Sequence, residues 1–526
     1  MPDSQDAVTA FLKSHGSNGH STADEVVQTH AALVFLHSEE ALKIKRAVRY
    51  DYMDASTLER RKALLLRELE LNAPAAPGLY RDVVAITQQD NGALEIDGSG
   101  MPIEWVLRMR RFPAEAEMSR MADRGLIDDA LADEMGTSVA KYHRETPPAD
   151  LLGSALIGDI IDELDRVLSG MTDLIGGSPV EQFLDGARNA HGAQRRHLDE
   201  RTAMNWVRRC HGDLHLRNIV IWKGVPTPID ALEFDERLGT CDVLYDLAFL
   251  LMDLEHRQLH GAANRVLNAY LNATGAEAHL SALSSLPLFL AIRAAIRAMV
   301  DIQTAPFQDD PQPLIEDGIL FLRQANSFLT PRLACLVAVG GLSGSGKTTI
   351  ARAVAPDIGA FPGAIHLRSD LERKALFGVN AVTRLNEKAY GASVTAKVYA
   401  ALRRKARMAL AAGHAVIVDA VYSAPHERAL VERLATDMGR PFLGLWLEAE
   451  TETRVERVTK RKKGASDADA AVARRQATSD MGDIDWIRIR TAGPLSDAVE
   501  VTGRLVARPD ADAGLPGGVV MRGYDE

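Results

Sequence analysis

Cysteine is scarce in this sequence of 526 residues: there are three, Cys210, Cys241 and Cys335, widely spaced and forming no CxxC pair. That argues against a disulfide framework and against a zinc site, and a reducing, cytoplasmic compartment is expected. Aromatic residues are few, at 5%, and are not interleaved with the basic residues, so the stacking surface of a nucleic-acid binder is not expected. No stretch approaches the roughly 18 uninterrupted apolar residues of a membrane span. The opening residues, Met1-Pro2-Asp3-Ser4-Gln5-Asp6, lack the basic start and apolar core of a secretory signal. Neither a membrane nor a nucleic acid is therefore expected as a partner, and oligomeric state is left open.

What is there is an ordinary globular composition, 46% hydrophobic and 25% charged. The chain is long enough for three or four units of about 150 residues, or for two larger ones. The net charge of −11 is unevenly spread: residues 1–330 hold 32 Lys and Arg against 49 Asp and Glu, a net of −17, and residues 331–526 hold 29 against 23, a net of +6. The first part is expected to attract cationic ligands and the second anionic ones. A polar, proline-rich run, Pro306-Phe307-Gln308-Asp309-Asp310-Pro311-Gln312-Pro313, is followed by an amphipathic helix from about Leu314 to Ser327 and by Pro331, after which a new strand pattern begins. These marks place a first domain over 1–330, a second over 331–506, and a loose tail without periodicity over 507–526.

The second domain opens with the apolar run Leu333 to Val339 and then Gly341-Leu342-Ser343-Gly344-Ser345-Gly346-Lys347-Thr348, a complete GxxxxGK[ST], followed by Thr349 in a helix pattern. Glycines in such a loop let backbone N–H groups cradle phosphates at a helix N-terminus, the lysine reaches the β- and γ-phosphates, and the Thr348 hydroxyl holds Mg²⁺. Ala415 to Asp419 reads as a buried strand ending in an acid, where a carboxylate orders the metal. Asp370 follows a short strand, Ala364 to Leu367, and is placed to take a proton from a substrate hydroxyl, with Arg368 or Arg373 clamping an anionic group; a helix N-cap is its structural alternative. The basic run Arg454, Arg457, Lys460, Arg461, Lys462, Lys463 fits either a phosphate-neutralising lid or a solvated helix face. From about 333 to 500 the chain resembles the P-loop small-molecule kinases, the neighbourhood of gluconate kinase, shikimate kinase and zeta toxin. That resemblance implies an acceptor pocket at Asp370 and lid arginines, Arg457 and Arg461, on the nucleotide phosphates.

The first domain carries His211-Gly212-Asp213-Leu214-His215-Leu216-Arg217-Asn218, then Asp230 twelve residues after the Asn. The Asp213 to Asn218 spacing equals that of the kinase catalytic loop, in which Asp orients or deprotonates the attacking hydroxyl, Asn binds Mg²⁺, and a second Asp supplies the other metal contact. The segment resembles the aminoglycoside phosphotransferase and choline kinase superfamily, whose HGDxHxxN loop it matches, and Asp242 to Phe249 resembles the helix that follows there, with Asp246 supporting the loop. The resemblance implies an early lysine on the α- and β-phosphates, paired with a helix carboxylate. Lys43 and Lys45 share one strand face, so either qualifies, and Glu68 or Glu70 is the partner, on a helix beginning at Ser56 with Glu59 three residues on. Strands are expected at Ala32 to Leu36 and Ala41 to Lys45, and Glu104 to Met109 is the strand expected beside the adenine. No GxGxxG precedes these strands; the only glycine-rich stretch there is Ser14 to Gly19.

The whole chain thus resembles a bacterial two-domain arrangement. A bilobal, protein-kinase-like α+β domain is followed by a parallel-sheet α/β P-loop domain. The activity implied is ATP- and Mg²⁺-dependent phosphoryl transfer at two sites to a hydroxyl of a small molecule, sugar-like or aminoglycoside-like. The alternative is a regulatory protein that binds nucleotide without turning over an acceptor.

Overall fold

Alternation of side chains sets up the first sheet. In β3 (Glu40–Lys45), Leu42 and Ile44 face one way and Lys43 and Lys45 the other. Leu42 and Ile44 pack with Phe35, Ile86 and Val106, and with Val8 and Leu12 of α1 (Ser4–Ser14). The computed structural model describes residues 4–506 apart from 18, 21, 51–52, 276, 461–463 and 479. The tail expected over 507–526 therefore lies outside the described residues, as does Arg461.

Six antiparallel strands run in the order β1 (Glu25–Gln28), β2 (Ala32–Leu36), β3, β6 (Met101–Arg110), β4 (Tyr80–Gln88), β5 (Leu94–Ile96). The lysine face of β3 is covered by α2 (Leu58–Asn72), whose Leu65 packs with Leu107, Leu79 and Tyr80. The cap of α2 is Thr57, whose hydroxyl accepts from Arg60 N–H, and not Ser56. Ser56 is drawn instead to Asp54, to which its N–H and hydroxyl both donate, at 3.0 and 2.6 Å. Farther along come α3 (Asp129–Glu145), the hairpin β7 (Ile219–Trp222) with β8 (Val225–Pro228), α4 (Val243–His256), α5 (His260–Thr274) and α6 (Leu286–Thr304).

The second sheet is wholly parallel, in the order β10 (Ile365–Arg368), β11 (Val416–Asp419), β9 (Leu336–Gly341), β12 (Phe442–Glu448), β13 (Ile487–Arg490). Its central strands β9, β11 and β12 are near-continuous apolar runs because helices cover the sheet, and Val337, Val339, Ile417 and Leu445 pack against Ile350 and Val354 of α7 (Lys347–Val354). The remaining helices named below are α8 (Ser369–Leu376), α9 (Thr451–Lys460) and α10 (Ala470–Ala477).

Contacts group Met1–Asp162 with Arg195–Asp253, and Glu163–Gln194 with Leu254–Glu526. The helices between 254 and 330 thus cluster with the P-loop sheet. The reason is visible at its edge. Asn268 Oδ1 accepts the His366 N–H at 2.7 Å, and the amides of Asn264 and Asn268 donate to Ala364 O at 3.1 and 3.2 Å. These side chains supply the partners that an edge strand otherwise lacks. Within the same group, Glu277–Phe307 is long and apolar enough to pass as a membrane span by length and composition, yet 67% of its apolar window is buried inside the protein.

Candidate active sites

The first site forms where β3, α2 and the loops around β7 and β8 converge. Lys43 Nζ donates to Glu68 Oε1 and to Asp230 Oδ1, both at 2.7 Å. Lys45 Nζ donates to Glu68 Oε2 at 2.7 Å and to Glu233 Oε1 at 2.5 Å. Both lysines therefore use the same carboxylate, and the choice left open by sequence resolves into a division of place: Lys43 reaches Asp230, while Lys45 lies deeper against Glu233. Glu70 is not the partner; it pairs with Arg67. Burial works against the Lys43 ammonium, but Asp230, Glu68 and Glu233 outweigh it and hold its pKa well above the ordinary value. For Asp230 desolvation is likewise overcome by Lys43, which keeps the carboxyl below its usual range.

The catalytic loop is held from beneath. Asp246 of α4 accepts the N–H groups of His211 and Gly212 at 3.1 and 2.8 Å, and its carboxylate lies 3.0 Å from His143 Nε2 of α3. With Cys210, these side chains form a buried His143–Cys210–Asp246 group whose ligand atoms lie within 4.8 Å of one another. His211 Nε2 faces the Ile229 carbonyl at 2.8 Å, which makes that nitrogen the N–H and leaves Nδ1 to accept from Asp213 N. Burial pushes the His211 imidazole below its ordinary pKa, so it serves as a neutral spacer. Asn218 Nδ2 donates to both the carbonyl and Oδ2 of Asp213 at 2.9 Å, so its amide oxygen is the atom it has to offer a cation. Asp230 adopts a left-handed backbone, φ 60°, and its N–H is held by Tyr80 Oη at 3.0 Å. Asp213 and Asp230 are both half-exposed, at 44% and 48% of their side chains, which leaves them open to a ligand.

Ser14 to Gly19 is the glycine-rich stretch ahead of the strands, and it lacks the GxGxxG pattern. Those residues end α1 and enter a short hairpin. The turn between β1 and β2 is Thr29-His30-Ala31, built without glycine. Thr29 Oγ1 accepts from Ala32 N–H at 2.9 Å, and Arg46 donates to the carbonyls of Thr29 and His30 at 3.1 Å. The expected adenine-side strand is β6, although its Glu104 is buried on Arg61.

In the second site β9 feeds the phosphate loop into α7. Gly346, at φ 93°, is the N-cap, and at Gly344, φ 89°, an added Cβ would lie 2.6 Å from the Arg454 carbonyl oxygen. Only glycine suits these positions. Thr348 Oγ1 donates to Asp419 Oδ2 at 2.5 Å, joining the two expected metal ligands. Burial would raise Asp419, but His366, then Lys347 and Arg368, bring it down to about 2. Asp370 lies in the first turn of α8, two places after its Arg368 N-cap, so it is not the cap. Desolvation and the neighbouring Asp419 raise its pKa, as suits a group that must take up a proton. Arg373 is turned to protein groups: it donates to Ala389 O at 2.6 Å and its guanidinium stacks over Tyr390. Arg457 is also committed elsewhere, donating to Thr491 O at 2.6 Å and to Gly493 O at 3.3 Å.

The loop suits a phosphate. Ser345 Oγ, Arg368 Nε and Arg454 Nε are buried polar atoms with no hydrogen-bond partner among the described residues, all three beside the loop or its neighbouring strand ends. Three groups were not singled out from sequence: His366, 3.6 Å from Asp419; Gln476 of α10, whose Oε1 accepts the Ser343 N–H at 2.8 Å; and Glu233 under Lys45. None sits in a local motif, so only tertiary proximity reveals them.

Residues 336–479 match the family model described as AAA domain. An uncharacterized protein of Mycobacterium tuberculosis is 29% identical over 506 residues, covering 92% of this chain and 96% of its own length. Among solved structures, the GDP complex of aminoglycoside 2'-phosphotransferase-IIIa is similar to 62% of this chain and 99% of its own, at 11% identity and TM-score 0.39. The Mycobacterium tuberculosis APS kinase in complex with AMPPNP and APS is similar to 34% of this chain and 99% of its own, at 23% identity and TM-score 0.25. The family match over residues 336–479 spans the phosphate loop and Asp419.

Proposed function

We propose that the protein is an ATP- and Mg²⁺-dependent phosphotransferase with two nucleotide sites, each acting on a hydroxyl of a small molecule. The observation that carries this reading is the convergence of Lys43, Glu68 and Asp230 by direct hydrogen bonds, with Asp213 and Asn218 bonded to each other. Bound ATP with Mg²⁺ supplies the activated γ-phosphoryl group. At the first site Asp213 takes the acceptor proton, Asn218 and Asp230 hold the metal, and Lys43 steadies the phosphates. At the second, Gly341, Ser343, Gly344, Ser345 and Gly346 shape the cradle, Lys347 and the N-terminus of α7 with Thr349 bind phosphate, Thr348 and Asp419 hold the metal, and Asp370 takes the proton. The surplus of carboxylates in residues 1–330 favours a cationic acceptor there, an aminoglycoside-like molecule being one such class.

The test is mass spectrometry of a metabolite extract, supplemented with an aminoglycoside panel, after incubation with the protein, Mg²⁺ and isotope-labelled ATP. Asp213→Asn is expected to lose the first-site product by a factor on the order of 10²–10⁴ while still binding ATP. Lys347→Ala is expected to lose only the second-site product. Labelled product that survives both substitutions would overturn the assignment, and bound ATP with no labelled acceptor would favour nucleotide sensing without turnover.

A further inference from the structure

A cavity of about 170 Å³ opens beside the phosphate loop of the second site. It is lined by Leu342 of that loop, by Val421 and Ser423 just after β11, and by Gln476, Asp480 and Met481 at and beyond the end of α10. Gln476 joins the cavity to the loop, because its Oε1 accepts the Ser343 N–H at 2.8 Å. With Oε1 engaged there, Nε2 and its two N–H donors are what the side chain offers a ligand. The walls are braced from behind. Arg428, buried on the helix Pro425–Asp437, donates through Nη1 to Tyr422 O and Ser423 O at 2.8 and 3.2 Å. Through Nη2 it donates to Met481 O and Asp483 O at 2.8 and 2.7 Å. One guanidinium thus ties the segment after β11 to the segment after α10. Tyr422 is held in a left-handed backbone, φ 52°, with its N–H on Tyr399 Oη at 3.0 Å. A bulky residue keeps that conformation only where its surroundings impose it, so the wall that carries Ser423 is fixed before any ligand arrives.

The lining decides what this space can receive. Among the described residues it presents a hydroxyl, an amide and one carboxylate, from Ser423, Gln476 and Asp480, set among apolar side chains, and no lysine, arginine or histidine. The net charge of +6 over residues 331–526 is therefore not repeated in the cavity. An anion there would meet no cation and would face Asp480, whereas hydroxyl groups find both donors and acceptors. A cavity on the order of 150 Å³ accommodates a single six-membered ring. We propose that this cavity is the acceptor pocket of the second site, that its occupant is an uncharged, hydroxyl-bearing molecule of about one ring, and that Gln476 binds an oxygen of that molecule through Nε2; this rests on the reading of the site as a phosphotransferase. Gln476, fixed by the phosphate loop, sets the acceptor in register with the loop that holds the phosphoryl group.

The experiment separates a metabolite extract by ion exchange into neutral, anionic and cationic fractions and incubates each with the full chain, Mg²⁺ and γ-labelled ATP. Labelled product that disappears in Lys347→Ala is expected from the neutral fraction. Gln476→Glu keeps an oxygen for the Ser343 N–H and removes the amide donor. It should raise the KM for the acceptor by about tenfold, as for one lost hydrogen bond, while the KM for ATP stays near its original value. Ala424→Leu, which fills the cavity from another wall, should raise the acceptor KM in the same way. An unchanged acceptor KM in either variant overturns this inference alone, as does Lys347-dependent product from a charged fraction. A matching rise in the KM for ATP in Gln476→Glu assigns that side chain to holding the loop and also overturns it. Absence of any Lys347-dependent product overturns it together with the second-site reading.

Discussion

Lys43 and Lys45 show how far apart two equivalent-looking residues can be. Alternation along β3 places both on the α2 face, and only their partners separate them: Asp230 for Lys43, Glu233 for Lys45. Lys43→Met is expected to lower first-site kcat/KM by on the order of 10²-fold, as when a preorganised charge on the reacting groups is removed. Lys45→Met instead leaves the buried Glu233 without its direct cation and Glu68 with Lys43 alone, which should cost about 3–5 kcal/mol, read as a lower urea midpoint. The reverse pattern would exchange the two roles. Gly344 offers a second test. Alanine there meets the Arg454 carbonyl and incurs about 1–2 kcal/mol of left-handed strain, so ATP affinity at the second site should drop about tenfold by titration calorimetry.

At the level of elements, α4 and α2 act as supports for loops that carry the chemistry. Asp246, fully buried on α4, accepts two backbone N–H groups of the catalytic loop and lies within hydrogen-bond distance of His143. Asp246→Ala leaves those donors unsatisfied, and a loss of about 3–5 kcal/mol is expected in chemical denaturation, more than for the partly exposed Glu255 of the same helix. Asn72 plays the same part for α2. It donates to Glu68 O at 2.8 Å and accepts from Ala231 N–H at 2.9 Å, tying the Glu68 turn to the Asp230 loop. The role of Asp246 was legible from its place after the motif. Those of His143 and Asn72 were not, because each lies in an unremarkable amphipathic helix far away in sequence.

Over the whole molecule, two candidate phosphate-transfer layouts occur in one chain, and each is expected to be lost independently of the other: Asp213→Asn should leave second-site product unchanged, and Lys347→Ala the first-site product. Acid sensitivity should be set by buried groups. His414, enclosed and facing Leu283 O at 3.1 Å, has its pKa lowered by burial from 6.5 to about 4. As pH falls below 6.5 the unfolded chain binds the proton first, so stability present at neutral pH is lost between about 6.5 and 4, by about 3 kcal/mol. Asp419, lowered from 3.8 to about 2, keeps its contribution above pH 3.8 and loses it as pH falls to 2. His414→Gln should flatten the first window only, as read by urea midpoints at pH 7 and 5. The sequence by itself determined the two phosphate-transfer motifs, the alternation that puts both lysines on one face, and the parallel character of the second sheet, because these depend on spacing along the chain. Only the folded arrangement settles that Glu68 serves both lysines, that Arg373 and Arg457 are bound to backbone carbonyls, that the helices after 254 cluster with the P-loop sheet, and that Gln476 meets the phosphate loop at Ser343. Those outcomes depend on which distant groups meet once apolar faces are buried, and no local pattern encodes that meeting.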